Sequence, residues 1–472
     1  MSVGSPAPPL DRERSESPGP DQWEATDTLA VSVVVPTFRR DETLLRLLAA
    51  LAEQDLPRDR FEVVVVDDAC SQSMPAAVAG FAAHEPGLRL RLLPGKSQGP
   101  ATARNIGWRA ATAPLIAFID DDAYPERLDS IGDVLMSTPA MRALKQPLPG
   151  RQIALLTSPS GAEAGRLCPV VDEVIAYDAL WMKATAPRES AAPDLAMVER
   201  LRAGRFDGAA IFTCFSQSPL PAALFCFLAG IPLRLAHCRE NPYQLLSDRL
   251  PECEPGSGIR HEVQRQSDLV AAIGCRTDDD RLALGVPAAA QAAIDGRLAG
   301  LRVDGGRPWA VLHTGATAAS RRYPPEQFAA AARCLVERHG WRLLYTGDAG
   351  ERELVERVVA ASGVPGENLA GRLSFAELAA LIARAPLVIT NNSGPAHVAA
   401  ALGTPVVDLY AGTNPQHTPR RVPARVLMHD VPCRWCFKSV CPEGHQLCLR
   451  GIAPGEVVQA ALELMRETRQ LA

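Results

Sequence analysis

The sequence predicts an α/β protein of three open, mostly parallel sheets, the last two forming Rossmann-like domains that face each other. Three observations carry this. Short runs rich in Val, Ile and Leu recur from Val31 to the C-terminus. These runs are continuously apolar rather than alternating, as strands buried on both faces of a parallel sheet are. Amphipathic stretches separate them, which is the βαβ rhythm.

The elements follow in order. Residues 1–29 are rich in Pro, Ser, Asp and Glu and read as a disordered tail. Residues 30–125 hold four strand-like runs, VSVVVPTF (31–38), FEVVVVDDAC (61–70), LRLRLL (88–93) and PLIAFIDDD (114–122), with a helical pattern over 41–53. Residues 126–300 hold a second series, QIALLTSP (152–159), VDEVIAYDA (171–179), GAAIFTC (208–214) and IPLRLAH (231–237). Residues 301–472 hold a third, WAVLHTGA (309–316), WRLLYTGD (341–348), LVITNN (387–392) and PVVDLYAG (405–412), with helical patterns over 325–339, 351–361 and 375–385.

The bulk numbers set limits. A chain of 472 residues has room for about three domains. A net charge of −5 offers no electrostatic reason to bind nucleic acid. No run of about 20 apolar residues predicts a membrane span. The most apolar stretch, Pro219 to Leu235, is interrupted by Pro221, Gly230 and Pro232 and reads as a buried helix then a strand. No secretory leader is evident, so a cytoplasmic chain is expected.

In such sheets ligands bind where strands end and helices begin, and four motifs fall there. Thr390 to His397 reads TNNSGPAH. Ser393 suits an N-cap, Gly394 permits close backbone approach and Pro395 suits a first helical turn. The free N–H groups of that turn favour an anion such as a diphosphate. Asn392 lies in this loop, and His397 sits one turn inside, toward ligand or core. The run from Thr314 and Gly315 to Pro324 places Arg321 and Arg322 after a Gly/Thr/Ser loop, suited to phosphate clamping. Gly347 to Glu351 could set Glu351 on ribose hydroxyls. Arg127 to Leu135, RLDSIGDVL, sets Asp133 at a loop-to-helix junction as a candidate general base; its ordinary reading is an acidic first-turn residue that favours the helix dipole. Asp129 is its nearest rival.

Together these motifs resemble glycosyltransferase family 9, the ADP-heptose:lipopolysaccharide heptosyltransferases, from about residue 127 to the C-terminus. The resemblance rests on RLDSIGDVLMSTPAMRALK, RRYPPEQF, TNNSGPAHVAAALGTPVVDLY and NPQHTP at Asn414 to Pro419. It implies the GT-B fold, with an acceptor domain over 126–300 and a nucleotide-sugar donor domain over 301–472. By the resemblance, Asp133 matches the catalytic base and Arg321 a diphosphate-binding lysine. Glu351 matches the ribose carboxylate, and Asn392, Ser393, Gly394 and His397 the nucleotide-diphosphate loop. It implies transfer with inversion and without a metal cofactor, from a nucleotide-diphosphate sugar to a lipopolysaccharide-core or related glycan. Contact with a membrane would be peripheral, through the acceptor. Two departures are an Asn at 392, where some members carry Asp, and Arg for Lys at 321. The stretch before RLDSIGD is apolar in the family and reads AYPE here.

The first unit resembles the nucleotide-binding half of a family 2 glycosyltransferase, GT-A fold, on VSVVVPTFRRDETL, VVVVDDAC, GPATARNIG (99–107) and FIDDDAYP (118–125). That resemblance implies nucleotide contact by Asp67 or Asp68 and a divalent metal framed by Asp120 and Asp122. A carboxylate pair at a strand end suits a hard cation; turn and cap aspartates are the ordinary reading. The unit stops before the acceptor half of such a domain, so the chain reads as a fusion with its N-terminal half vestigial.

Of twelve cysteines, eight are scattered, often in apolar runs (Cys214, Cys226, Cys334), and read as reduced core residues. Cys433, Cys436, Cys441 and Cys448 cluster with His445 and fit a structural zinc, reduced thiols or a disulfide. Two other functions compete with a family 9 transferase: an inactive fusion that binds nucleotide-sugars or a partner, and a metal-dependent family 2-type transferase.

Overall fold

The structure, a computed structural model, describes residues 29–52, 57–118, 130–148, 150–181, 190–255, 258–303, 306–441 and 443–471. The tail to residue 28, Asp120, Asp122, Asp129 and the AYPE stretch lie outside the described residues. The chain divides into two compact units at Pro125/Glu126.

The first unit runs β1 (Val31–Thr37), α1 (Asp41–Ala52), β2 (Phe61–Asp67), α2 (Met74–His84), β3 (Arg89–Pro94), α3 (Pro100–Ala110) and β4 (Leu115–Phe118). Its four strands are parallel, in the order β3-β2-β1-β4. Val33, Val35, Val63 and Val65 meet Leu44, Leu47 and Leu48 of α1 and Met74 and Val78 of α2. Alternate residues of a strand share a face, so both valine runs serve two layers at once. Glu62 is buried inside this sheet. Burial opposes its ionisation, yet hydrogen bonds from Ser32, Thr112 and Arg91 pull its carboxyl down to about 2.

The second unit begins with a middle lobe: α4 (Ile131–Lys145), β5 (Ala154–Thr157), α5 (Pro159–Leu167), β6 (Glu173–Ala176), α6 (Ala192–Ala203), β7 (Gly208–Ile211), α7 (Leu220–Leu228), β8 (Leu233–Cys238), β9 (Asp248–Pro251) and α8 (Glu262–Ala271). Its described strands form a parallel pair, β5-β6, and a parallel triple, β7-β8-β9. Pro219 to Leu235 is a helix then a strand, as its Pro and Gly punctuation predicts.

A C-terminal lobe follows: α9 (Ala288–Gly300), β10 (Trp309–His313), α10 (Pro325–His339), β11 (Arg342–Thr346), α11 (Arg352–Ser362), β12 (Glu367–Asn368), α12 (Phe375–Arg384), β13 (Val388–Asn391), α13 (Gly394–Leu402), β14 (Val406–Leu409), β15 (Ala424–Leu427), α14 (Leu447–Arg450) and α15 (Pro454–Leu471). Six parallel strands lie in the order β12-β11-β10-β13-β14-β15. One face packs on α10, α11 and α15 through Leu335, Val355, Val358, Ala461 and Leu464. The other packs on α9, α12 and α13 through Ile294, Leu298, Leu381 and Val398, and that core runs on into Val134, Leu135 and Met136 of α4. The two lobes therefore share one apolar core, which holds their facing loops in register. Among the described residues, no helix is long and apolar enough to cross a membrane.

Candidate active site

The TNNSGPAH motif is a strand-to-helix junction. β13 ends at Asn391, Ser393 is extended at φ −153°, and α13 starts at Gly394. Ser393 does not cap the helix with its side chain; its hydroxyl donates to the Asn391 carbonyl at 3.2 Å. The Ser393 hydroxyl therefore takes none of the first-turn N–H groups of α13; Ala396 N donates to the Ser393 carbonyl at 3.0 Å, Pro395 has no N–H, and the positive end of the helix dipole still favours an anion. Asn391 ties the neighbouring loops to this junction. Its Oδ1 accepts from Tyr323 N at 2.9 Å, and its Nδ2 donates to the carbonyls of Thr314 (2.8 Å) and Gly315 (3.1 Å). Asn392 Nδ2 donates to the His417 carbonyl at 2.9 Å, which draws the NPQHTP run alongside.

Arg321 closes a 3-10 turn, Ala319–Arg321, that the cysteine-rich segment braces. Ser320 N donates to Ser439 O at 2.9 Å, and Gln446 Nε2 to Ala319 O at 2.7 Å. The Arg321 side chain is half-buried, and its buried Nε has no hydrogen-bond partner. Its charge bears on His397, His417 and Asp408. Arg322 parts from it: it is exposed, and its Nε donates to Ala316 O at 2.7 Å. Glu351 lies directly over the Gly315 loop, where a Cβ on Gly315 would stand 1.9 Å from its Oε1 and push the carboxylate aside. Asp348 N donates to Glu351 Oε2 at 3.0 Å, His313 Nε2 lies 3.7 Å from the same oxygen, and burial raises the Glu351 carboxyl above its usual range.

The middle lobe brings Asp133 to the same place. Its Oδ2 accepts from Ser130 N at 2.7 Å and from Ser130 Oγ at 2.8 Å, folding the carboxylate back over the start of α4. A Cβ on Gly132 would stand 2.7 Å from the His397 ring, and one on Gly394 3.4 Å from Ile131. The tips of α4 and α13 thus touch through two glycines, setting the base candidate beside the anion loop. Burial is the chief cause that pushes both His397 and His417 down to about 3, so both imidazoles are neutral near pH 7.

Three residues here had no assigned role in the sequence reading. His417 and Gln416 stand in the NPQHTP run quoted for the family resemblance. Glu262 opens α8, is 2% exposed, and accepts from Gln416 Nε2 at 3.2 Å across the lobes. Burial lifts its carboxyl to about 7, with Arg265 opposing and Asp133 adding to the rise. No local pattern marked Glu262; only the fold brings it to Asp133. Among the described residues, one trio of ionisable ligand atoms lies within 4.8 Å of one another: Asp133, Cys214 and His417. Cys214, which read as a core thiol, lines the cavity beside Asp133.

Asp408 of β14 is fully buried, and burial lifts its carboxyl to about 8 against a hydrogen bond from the Asn392 side chain. A carboxyl raised in the folded state stabilises below its ordinary value near 4, and that stability is lost as pH climbs through about 8. Thermal melts should therefore show the wild type losing stability from pH 6 to 9, and Asp408→Asn losing distinctly less. Parallel curves would show that Asp408 is ionised in the fold.

All twelve cysteines are free thiols. Cys70 and Cys253 are exposed, unlike the core residues expected. Cys433, Cys436, Cys441 and Cys448 line one small cavity with His445, Cys433 Sγ lying 3.9 Å from His445 Nε2. Burial raises the Cys436 and Cys448 thiols, and the neighbouring sulfurs add to it.

In the first unit Asp67 and Asp68 are buried. Asp67 accepts from Ala69 N (3.0 Å) and Ser71 N (2.6 Å), and Asp68 from Lys96 N (3.1 Å) and Gly99 N (2.7 Å). Burial opposes ionisation of Asp68, and these backbone donors outweigh it, so its carboxyl lies below the usual range. Both carboxylates order turns.

Comparison with known proteins places this arrangement. Residues 195–447, just over half of the chain, match the model of glycosyltransferase family 9 (heptosyltransferase). The chain belongs to glycosyltransferase family 9. Residues 32–132 of this family 9 chain match the model of glycosyl transferase family 2. Asp133 lies in neither matched range. Lipopolysaccharide heptosyltransferase 1 of Pseudomonas aeruginosa is 34% identical over 140 residues, 29% of this chain and 39% of that protein. Poly(ribitol-phosphate) beta-N-acetylglucosaminyltransferase TarS of Staphylococcus aureus is 37% identical over 93 residues, 20% of this chain and 16% of that protein. The family 9 chain thus spans well under two thirds of either relative. The crystal structure of a family 9 glycosyl transferase from Veillonella parvula superposes with a TM-score of 0.61 at 21% identity, covering 71% of this chain and 95% of that one. The fold is therefore GT-B, two Rossmann-like lobes that follow an α/β unit in the chain.

Proposed function

We propose that this chain transfers a sugar from a nucleotide-diphosphate donor to a glycan hydroxyl, the sugar being heptose from ADP-heptose and the acceptor a lipopolysaccharide core or related glycan. One observation carries the reading: the start of α4, which bears Asp133, and the start of α13, which follows the TNNSGPAH loop, meet through Gly132 and Gly394. The family membership and the likeness to a lipopolysaccharide heptosyltransferase support the substrate class.

In this reading the C-terminal lobe is the donor domain. The α13 N–H groups and Arg321 hold the diphosphate and stabilise it as it leaves. Glu351, with Thr314 and Gly315 beneath it, takes the ribose. Asp133 accepts the proton of the acceptor hydroxyl as its oxygen attacks the anomeric carbon from the face opposite the diphosphate, which inverts that centre. A proton and a diphosphate are separated without a metal. The second reading, a chain that binds nucleotide-sugars without turnover, is favoured by the divided sheet of the middle lobe.

Incubation with ADP-heptose and lipopolysaccharide lacking heptose should give transfer that persists in EDTA. Complete loss in EDTA, restored by manganese or magnesium, would move the chemistry to the first unit's aspartates. Loss with unfolding, restored by zinc, would make the cysteine cluster a structural metal site. Tight ADP-heptose binding with no transfer in any of these conditions would favour the second reading.

A further inference from the structure

The cysteine-rich segment has no part in the chemistry proposed above, yet its four sulfurs share one environment. Cys433 and Cys436 form a Cys-x-x-Cys pair, and Cys441 and Cys448 come to the same cavity from further along the segment. That cavity is about 10 Å³, room for a single atom-sized guest.

Each sulfur takes one N–H. Cys436 accepts from Lys438 N, Cys448 from Gly412 N, and Cys441 from Gln446 N at 3.4 Å. The His445 ring supplies the fourth. Its Nδ1 accepts from Leu447 N at 3.0 Å, which leaves the proton of the neutral ring on Nε2, 3.9 Å from Cys433 Sγ. A hydrogen bond aimed at sulfur favours thiolate over thiol. Burial works the other way at Cys436 and Cys448, and the neighbouring sulfurs add to it, so four bare thiolates would repel one another. A soft cation among them reverses that balance, because it neutralises the sulfurs it binds.

We propose that Cys433, Cys436, Cys441 and Cys448 bind one zinc ion as four thiolates, with His445 outside the ligand set as a donor to the Cys433 sulfur. Four protein ligands and no open position make a structural site rather than a catalytic one. No three of the sulfurs and the His445 nitrogens lie within 4.8 Å of one another, so the thiols stand around the cavity and close on the ion by rotation about χ1. Four sulfur–zinc bonds form, and the four thiol protons leave to solvent.

The position of the site gives it a task. Between Cys436 and Cys441, Lys438 O accepts from Ser320 Oγ at 2.6 Å and Ser439 O from Ser320 N at 2.9 Å. Between Cys441 and Cys448, Gln446 Nε2 donates to Ala319 O at 2.7 Å. On the other side, Trp435 N donates to Gly412 O at 2.6 Å and Phe437 N to Thr413 O at 2.7 Å. The ion thus ties together the loops that hold the turn bearing Arg321. That this turn serves a nucleotide-sugar rests on the transferase reading; the metal and the brace do not.

The test uses the full chain, reduced and stripped with a chelator. Cobalt(II) chloride should give the sulfur-to-metal charge transfer and visible bands of a tetrahedral four-thiolate site, and zinc chloride should bleach them. Cys436→Ser and Cys448→Ser should each lose that spectrum, while Cys334→Ser, which packs against the core elsewhere, should keep it. His445→Ala should keep the spectrum and weaken zinc about 10- to 100-fold, as loss of a hydrogen bond to a ligand does. Amide exchange over 319–321 should speed up at least tenfold in the stripped chain and recover with zinc. No four-thiolate spectrum in the wild type, a spectrum that survives both serine variants, or disulfides among these cysteines in the purified chain would overturn the site. A spectrum altered by His445→Ala would overturn the ligand set, and exchange over 319–321 indifferent to zinc would overturn the brace. None of these readouts needs a donor or turnover, so their failure is separable from failure of the transferase reading.

Discussion

Asp133→Asn should leave folding and donor affinity near wild type and lower the transfer rate at least ~10²-fold. A glycan hydroxyl is a poor nucleophile near pH 7, so its proton must leave as the new bond forms. Asp133 is the carboxylate that the fold places at the tip of α4 against His397. His397 and His417, the nearest imidazoles, are pushed down to about 3 mainly by burial. Each is too weak a base to replace it at neutral pH. The asparagine carbonyl can still accept from Ser130 N and Oγ, so the helix start, worth about 1 kcal/mol, should survive. Single-turnover transfer and calorimetric donor binding separate the two effects. A variant that binds donor normally and transfers at the wild-type rate removes Asp133 from the mechanism. Glu262, which lines the same cavity and has a carboxyl raised to about 7 by burial, is then the next base to test.

Arg321→Ala should weaken binding of the nucleotide-diphosphate sugar by roughly 10- to 150-fold, the range that one hydrogen bond to a charged group supplies (about 1.5–3 kcal/mol). The guanidinium is half-buried beside the α13 loop with its buried Nε unpartnered, so it is held ready for an anion. The brace from Ser439 and Gln446 acts on the main chain of 319–320 and is unchanged by the substitution, so the loss should fall on binding rather than folding. Arg321→Lys should retain most of the affinity, because lysine keeps the charge and loses only the planar fork. Arg322→Ala should do little, since that side chain is exposed. Unchanged donor affinity in Arg321→Ala would remove this loop from the phosphate site.

Much of the fold was legible because its signals are local. Val63 to Val66 and Trp309 to Leu312 are apolar at every position, and only strands covered on both faces require that. The helix α15 was just as legible and went unread. Val457, Val458, Ala461, Leu464 and Met465 follow the 3.6-residue period and lie buried in the core. Ser393 was read as an N-cap and stands at that position, though its hydroxyl does not cap α13. An N-cap is set by backbone position, whereas the hydroxyl's choice of Asn391 O depends on the rotamer that the loop allows.

The sequence by itself determined the βαβ order, the helix starts at 130–133 and 390–397, and the family of the chain. All are properties of contiguous residues, where periodicity, caps and motif spacing act within a few turns of chain. Only the tertiary structure decided which junctions meet. It set Glu262 and His417 beside Asp133, buried Asp408 within the sheet, and turned Arg321 inward and Arg322 outward. Each outcome depends on packing between segments far apart in the chain. Burial, which shifts the carboxyls of Glu262 and Asp408 and the imidazole of His417, is a property of the assembled core.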